Sequence, residues 1–228
     1  MRMVAGPVRG FIAGAAVYAS CLVFIEIMSR TGTVSGAFAV QVTFKAVLAG
    51  VSVVLMLTAG RSLGRFGWCR PRATARDWIV PLASGVGLGA IASMLVLGLA
   101  TPLALMRSFS FVELVLGIWI WSTVTEEIFV RGLVQTWMSS GGAGRGRGVV
   151  IVASGLFFGA MHLTLLMRGE DHRTVAIIVT MTTCLGFVCG WSRARTGSVV
   201  IPILAHGGFN VGGLLGGVAW VVGAKLLT

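Results

Sequence analysis

Three short polar motifs stand inside long apolar stretches of this chain. Together they contain two carboxylates, two imidazoles, a carboxamide and a guanidinium, and no serine or cysteine in the chain has a comparable setting. Adding water to an amide bond needs a base and hydrogen-bond donors for the developing oxyanion, and this inventory supplies both. We therefore predict a hydrolytic site whose catalytic residues are Glu126, Glu127, Arg131, His162, His206 and Asn210.

The two adjacent carboxylates have different expected partners. Glu127 and Arg131 are four residues apart, so on a helix they share a face and can form an ion pair. Glu126 points about 100° away around the helix and has no partner within the motif. Two neighbouring carboxylates in a low dielectric do not both ionise easily, which suits one of them to act as a general base. An ion pair that only orients helices is the alternative, but it leaves Glu126 without a role.

The two histidine motifs also follow helical spacing. Phe158 and His162 share one helix face, and so do His206 and Asn210. Each pair alone is compatible with ordinary hydrogen bonding between helices. Two histidines and a glutamate from separate helices can also bind zinc, so zinc-dependent hydrolysis is an alternative. The HExxH zinc motif is absent, and we expect no cofactor.

The elements that carry these motifs are predicted to span a membrane. Of the 228 residues, 56% are hydrophobic and only 11% are charged, whereas soluble domains have about 25% charged residues. We predict an all-α, polytopic transmembrane helix bundle that forms one domain over residues 1–228. Each predicted span is long enough to cross a hydrocarbon core of about 30 Å. There are about seven, at residues 10–29, 37–60, 78–101, 109–138, 149–167, 174–192 and 198–224.

The net charge of +11 is interpreted as a signal for membrane topology and anionic lipid headgroups. No nucleic-acid partner is expected. If the N-terminus lies inside, the inside loops carry more than twice as many arginines and lysines as the outside loops, which favours that orientation. The composition suits the cytoplasmic membrane of a prokaryote. Lys45, near the start of the second span, is expected to extend towards the membrane surface.

The order and spacing of the motifs resemble a known family. EExxxR, FxxxH and HxxxN on successive membrane helices are the signature of the CAAX protease and bacteriocin-processing family of intramembrane glutamic endopeptidases, also called CPBP or Abi. All the motif positions match in this chain, and the resemblance covers about residues 105–215. It implies that Glu126, with His162, activates the attacking water. It also implies that His206 and Asn210 stabilise the oxyanion, while the neighbouring ion pair holds the carboxylate helix in place.

The resemblance further implies a membrane-anchored protein or peptide substrate that approaches through the bilayer. Its processing would be at a C-terminal signal or a leader, as in prokaryotic sorting-type members such as the myxosortases. Phe158 and Trp121 are candidate substrate contacts. Two other functions are compatible with buried acids and histidines: a catalytically idle scaffold or regulatory binding protein, and a proton-coupled transporter. The chain shows no inverted repeat of the kind that transporters contain.

Overall fold

The chain folds into a bundle of long helices. The computed structural model describes residues 2–59, 62–103, 108–140 and 146–226, and these ranges contain no strand. Seven helical stretches follow one another within them, which confirms the predicted all-α fold. We number them α1 (Arg2–Arg30), α2 (Ala37–Thr58), α3 (Ala75–Leu99), α4 (111–139), α5 (Arg147–Met161), α6 (His172–Thr196) and α7 (Val200–Leu226).

Six of these helices are long and apolar enough to cross a membrane. They are α1, α2, α3, α5 with its short extension to Arg168, α6 and α7. Each coincides with a span predicted from the sequence, so the protein is a polytopic integral membrane protein. The remaining helix, α4, coincides with the predicted fourth span and differs from the others in its backbone geometry.

Helix α4 alternates between α-helical and π-helical turns. Its segments are Phe111–Glu113 (α), Leu114–Ser122 (π), Thr123–Glu127 (α), Ile128–Val134 (π) and Gln135–Ser139 (α). The wider i→i+5 turns change the direction in which successive side chains point, and π turns are frequent at functional sites. The two adjacent glutamates are the last two residues of the short α-helical segment Thr123–Glu127. A π-helical segment lies on each side of it. Nothing in the apolar pattern of this segment predicted that geometry.

Helices α3 and α7 pack with their backbones in close contact. A Cβ atom added to Gly85 would lie 2.0 Å from the carbonyl oxygen of Ala205, and one added to Gly212 would lie 2.0 Å from that of Val86. Small residues at four-residue spacing allow such an approach in membrane bundles. This contact sets the position of the α7 turn that carries His206.

The basic segment between α2 and α3 is tied to the turn between α6 and α7. The amide of Val199 donates to the carbonyl of Gly67 at 3.0 Å, and the Ser198 hydroxyl donates to the carbonyl of Cys69 at 2.7 Å. Backbone groups of this segment are thus satisfied by a neighbouring turn. The same anchoring fixes the end of the bundle where α7 begins.

Candidate active site

A cavity with a volume of about 480 Å³ lies between the helices. Most of its wall is apolar. All seven helices contribute to the wall, although α5 contributes only its last residue, Met161. Most of the cavity's charged and hydrogen-bonding groups come from α2, α4, α7 and the segment that follows α5. These include Lys45, Glu126, His162, His206 and Asn210.

Four of the six predicted catalytic residues therefore meet at one cavity, although they come from three different elements. Glu126 is on α4, His162 follows α5, and His206 and Asn210 are on α7. The sequence placed each of them on a helix face, but it contained no information on how those faces would be oriented towards each other. The arrangement has the composition that amide hydrolysis needs, with a carboxylate beside two imidazoles and a carboxamide.

The other two predicted residues form an ion pair beneath the cavity. Arg131 Nε lies 3.2 Å from Glu127 Oε2, and both side chains are fully buried. The Arg131 Nη1 group also donates to the Ser154 hydroxyl at 3.1 Å. The predicted i, i+4 pairing is thus present, even though the residues between the partners begin a π-helical turn.

His206 connects the buried ion pair to the cavity. Its Nδ1 atom lies 3.0 Å from Glu127 Oε1, and its Nε2 atom lies 3.9 Å from Glu126 Oε2. An ionised carboxylate only accepts hydrogen bonds, so we infer that Nδ1 carries the hydrogen and that Glu127 fixes this tautomer. In the neutral imidazole, Nε2 is then an unprotonated nitrogen that faces Glu126.

We infer the same tautomer for His162 from a different contact. Helix α5 ends at Met161, and His162 begins a 3₁₀ segment that continues to Arg168. The Nδ1 atom of His162 lies 3.0 Å from the carbonyl oxygen of Phe158. Because a carbonyl accepts hydrogen bonds, Nδ1 is the donor and Nε2 remains free to exchange a proton. Both imidazoles thus keep one nitrogen available for chemistry.

Asn210 is held against α4. Its Nδ2 group donates to the carbonyl of Trp119 at 3.2 Å and to the Thr123 hydroxyl at 2.9 Å. These contacts use both hydrogens of the Asn210 amide group. The carboxamide thus connects α7 to two residues of α4, Trp119 and Thr123. To donate to an oxyanion, Asn210 must release one of these two partners.

The two candidate substrate contacts lie away from the cavity wall. Phe158 is fully buried, with its ring centroid 5.3 Å from each imidazole centroid, and the Arg131 guanidinium lies 5.1 Å from the ring. Trp121 donates through Nε1 to the carbonyl of Val42 at 3.3 Å. Among the described tryptophans, Trp119 lines the cavity. Phe158 thus packs beneath the imidazoles, and its role as a substrate contact remains a prediction.

The expectation for Lys45 was wrong. Lys45 is only 5% exposed, and its ammonium donates to Glu126 Oε1 inside the bundle. Helix α2 begins at Ala37, which places Lys45 more than two turns from the helix start, with its side chain buried inside the bundle. The sequence contained one signal for this contact. A single lysine in an apolar span and a carboxylate without a local partner each need an opposite charge inside a membrane.

The described residues contain no group of three or more histidine, cysteine, aspartate and glutamate side chains with an arrangement suited to a metal ion. The expectation of a reaction without a cofactor remains a prediction, and the zinc alternative is addressed by experiment below.

Comparison with protein families agrees with this geometry. The model of the type II CAAX prenyl endopeptidase Rce1-like family matches residues 107–212. This segment belongs to the CAAX protease family. The match contains every predicted catalytic residue, and it confirms the resemblance drawn from the three motifs. No curated protein and no solved structure matches the chain significantly.

The match of residues 107–212 to the CAAX protease family supports a peptide-bond hydrolase that sits in a lipid bilayer and acts on membrane-anchored protein substrates. It does not favour the scaffold or the transporter alternative. The residues before the matched segment carry none of the three motifs, yet they contribute to the cavity. Lys45 contacts Glu126, and the Tyr18 hydroxyl on the cavity wall donates to the carbonyl of Met161 at 3.3 Å.

Proposed function

We propose that the protein is an intramembrane endopeptidase that hydrolyses a peptide bond with a water molecule activated by Glu126. The observation that carries the proposal is the position of this carboxylate. It lies on a mostly apolar cavity, and its Oε2 atom is 3.9 Å from the Nε2 atom of His206. A carboxylate at this position can accept a proton from a water molecule bound in the cavity.

In the proposed reaction, the water oxygen attacks the carbonyl carbon of the scissile peptide bond while Glu126 accepts the water proton. The tetrahedral intermediate then collapses, the carbon–nitrogen bond breaks, and the same proton passes to the leaving amine. One water is consumed, and an acid and an amine are released. His162 assists with its free Nε2 atom, which can accept a hydrogen bond from the water and orient it.

His206 is proposed to stabilise the oxyanion as an imidazolium. A proton on Nε2 makes that atom a donor, and the buried Glu127 carboxylate at 3.0 Å from Nδ1 stabilises the resulting positive charge. Arg131 holds Glu127 in position through their ion pair, because a buried carboxylate without a charged partner is strongly disfavoured. Asn210 contributes a second oxyanion contact if one of its hydrogen bonds to α4 is exchanged for the substrate.

The cavity favours an apolar or lipid-modified segment of a membrane-anchored protein as the substrate. Its wall is formed mostly by aliphatic and aromatic side chains, and its volume of about 480 Å³ is within the range of ligand-binding cavities. A substrate that enters from the bilayer brings its own apolar surface to such a wall. We propose processing near the membrane end of a C-terminal signal or a leader, in a prokaryotic cytoplasmic membrane with the N-terminus of the protease inside.

The test is cleavage of membrane-anchored peptides by the purified protein in lipid nanodiscs. Glu126→Gln should lower the cleavage rate by at least about 10²-fold, the usual contribution of a general base. Glu113→Gln is the matched control, because Glu113 lies on the same helix but only caps it by contacts with Ser110. Equal rates for wild type and Glu126→Gln would refute the mechanism.

A chelator series tests the zinc alternative with the same peptides. Cleavage that is indifferent to a strong zinc chelator supports the glutamate mechanism. Cleavage that is lost on chelation and restored by added zinc would instead make these residues metal ligands. If Glu126→Gln retains the full cellular effect of the protein, the scaffold alternative replaces the protease.

A further inference from the structure

We propose that Lys45 is a positioning residue for the hydrolysis, which keeps Glu126 as a carboxylate and determines which of its two oxygens faces the attacking water. The inference rests on the proposed function of Glu126. It adds a residue that lies outside the family match at residues 107–212 and outside all three motifs. The contact between the two side chains joins α2 to α4.

The two partners are buried together. Lys45 is 5% exposed and Glu126 is 6% exposed, and Lys45 is the only charged residue of helix α2. An isolated charge is strongly disfavoured in a membrane interior, so each partner stabilises the burial of the other. Lys45 also lines the cavity, which places its ammonium at the reaction site and not merely between helices.

The two oxygens of Glu126 have different surroundings. Oε1 accepts from the Lys45 ammonium and from the Ser122 hydroxyl, the latter at 2.8 Å. Oε2 faces the Nε2 atom of His206 at 3.9 Å and accepts no hydrogen bond from a described residue. Because Oε1 is occupied by two donors, Oε2 is the oxygen left to accept a proton from water. Lys45 thereby fixes the carboxylate in the rotamer that the reaction needs.

The site balances its charges in two pairs. Arg131 neutralises Glu127, and Lys45 neutralises Glu126. Without the ammonium, a buried Glu126 next to a second carboxylate would bind a proton at neutral pH, and a protonated carboxyl cannot accept another from water. Helices α3 and α6 contribute no ionisable side chain to the described cavity wall. Among the described residues, the ionisable groups that face or adjoin Glu126 are Tyr18 (α1), Lys45 (α2), Glu127 (α4), His162 (after α5) and His206 (α7), and Arg168 (after α5) lines the same cavity.

An alternative is that the pair only holds α2 against α4. The two helices have other contacts for that purpose, since Trp121 donates to the carbonyl of Val42 at 3.3 Å. The ring of Phe38 also packs so closely on Gly117 that an added Cβ would lie 2.3 Å from it. A purely structural role for Lys45 would change stability and the amount of active enzyme. It would not change the shape of the rate profile with pH.

The experiment compares Lys45→Met, Lys45→Arg and wild type in nanodiscs. Cleavage rates are measured from about pH 6 to about pH 10, and thermal unfolding is recorded for each variant. Lys45→Met should lower kcat at neutral pH by at least about 10²-fold, with the acidic limb of the profile moved to higher pH and KM nearly unchanged. Lys45→Arg, which keeps the charge, should recover part of the rate and the wild-type limb.

Two further variants keep the outcome decisive. Ser52→Ala is the control on α2, because Ser52 is fully buried and its hydroxyl donates to the carbonyl of Leu48 at 2.6 Å, away from the site. It should retain the wild-type profile. If Lys45→Met does not fold, Lys45→Gln replaces it, because it keeps a donor and loses only the charge. The same displaced limb is expected.

Two results would overturn the role of Lys45. One is a folded neutral variant whose rate–pH profile is parallel to that of wild type. The other is a folded Lys45→Arg that cleaves no faster than the neutral variant. If Glu126→Gln loses cleavage in the same assay, only the Lys45 inference has failed. If Glu126→Gln retains cleavage, the proposed function itself has failed.

Discussion

The close contact between α3 and α7 predicts how strongly an alanine substitution affects stability and activity at two glycines of α3, Gly85 and Gly87. Gly85 faces α7, where an added Cβ would lie 2.0 Å from the carbonyl oxygen of Ala205. Gly87 is exposed, and an added Cβ there would meet nothing within 4 Å. Gly85→Ala and Gly87→Ala therefore introduce the same methyl group on the same helix, with and without a neighbour.

The size of the effect follows from the contact distance. A carbon atom normally stays about 3.3 Å from a carbonyl oxygen. Moving the Gly85 Cβ position from 2.0 Å to that distance separates the two backbones by roughly 1.3 Å. Overpacking of this kind costs about 1–3 kcal/mol. Since Ala205 precedes His206, the imidazole moves with its helix, and a displacement of about 1 Å at a catalytic group can cost about 10²-fold in rate.

The assay combines thermal unfolding in detergent with peptide cleavage in nanodiscs. Gly85→Ala should unfold at a lower temperature and cleave about 10²-fold more slowly, whereas Gly87→Ala should stay within about 1 kcal/mol of wild type and keep its activity. Equal behaviour of the two variants would refute the reasoning. It would mean that the helix contact does not determine where His206 lies.

Three more outcomes follow from other parts of the molecule. Arg131→Met leaves the fully buried Glu127 without its guanidinium, so it should lower the free energy of unfolding by about 3–5 kcal/mol, and adding Glu127→Gln should recover part of the loss. The Thr174 amide that donates to Asp171 holds the pKa of that carboxyl below its ordinary 3.8. The ionised Asp171 therefore stabilises the folded protein fully at pH values above 3.8. This stabilisation is lost as the pH falls through the lower pKa that Asp171 has in the folded state. Asp171→Ala should therefore lower the unfolding temperature at neutral pH, by an amount that shrinks in strong acid. Cys69 is exposed, and with the N-terminus inside it should react with an impermeant maleimide only in opened vesicles. Labelling in sealed cells would reverse the proposed topology.

The predictions that succeeded from the sequence depend on local geometry. The pairing of Glu127 with Arg131 follows from their spacing on one helix, because residues four apart lie on the same face whatever the helix packs against. The membrane-spanning helices were predicted for a similar reason, since an apolar run of this length can cross a bilayer as a helix in any bundle. Neither inference needed knowledge of a partner helix.

The predictions that failed or stayed open depend on how each helix is rotated about its axis. Lys45 was placed at the membrane surface, but it contacts Glu126, which is 81 residues away in the chain. Trp119, and not Trp121, lines the cavity. In a membrane span both the lipid-facing and the core-facing sides are apolar, so the periodicity that orients a helix in a soluble protein is weak.

By itself, the sequence determined that the protein is a helical membrane protein and which polar residues its interior must accommodate. Long apolar runs have few ways to satisfy their backbone in lipid, and an ionisable group among them has to be paired or used. The tertiary structure alone decided which groups are paired. The contact of His206 with Glu127, across 79 residues, and the donation of Lys45 to Glu126 depend on the packing of α2, α4 and α7. This packing depends on the π-helical turns in α4 and on the glycine contacts between α3 and α7. Because these features act together, the sequence of one helix does not show which side chains will meet.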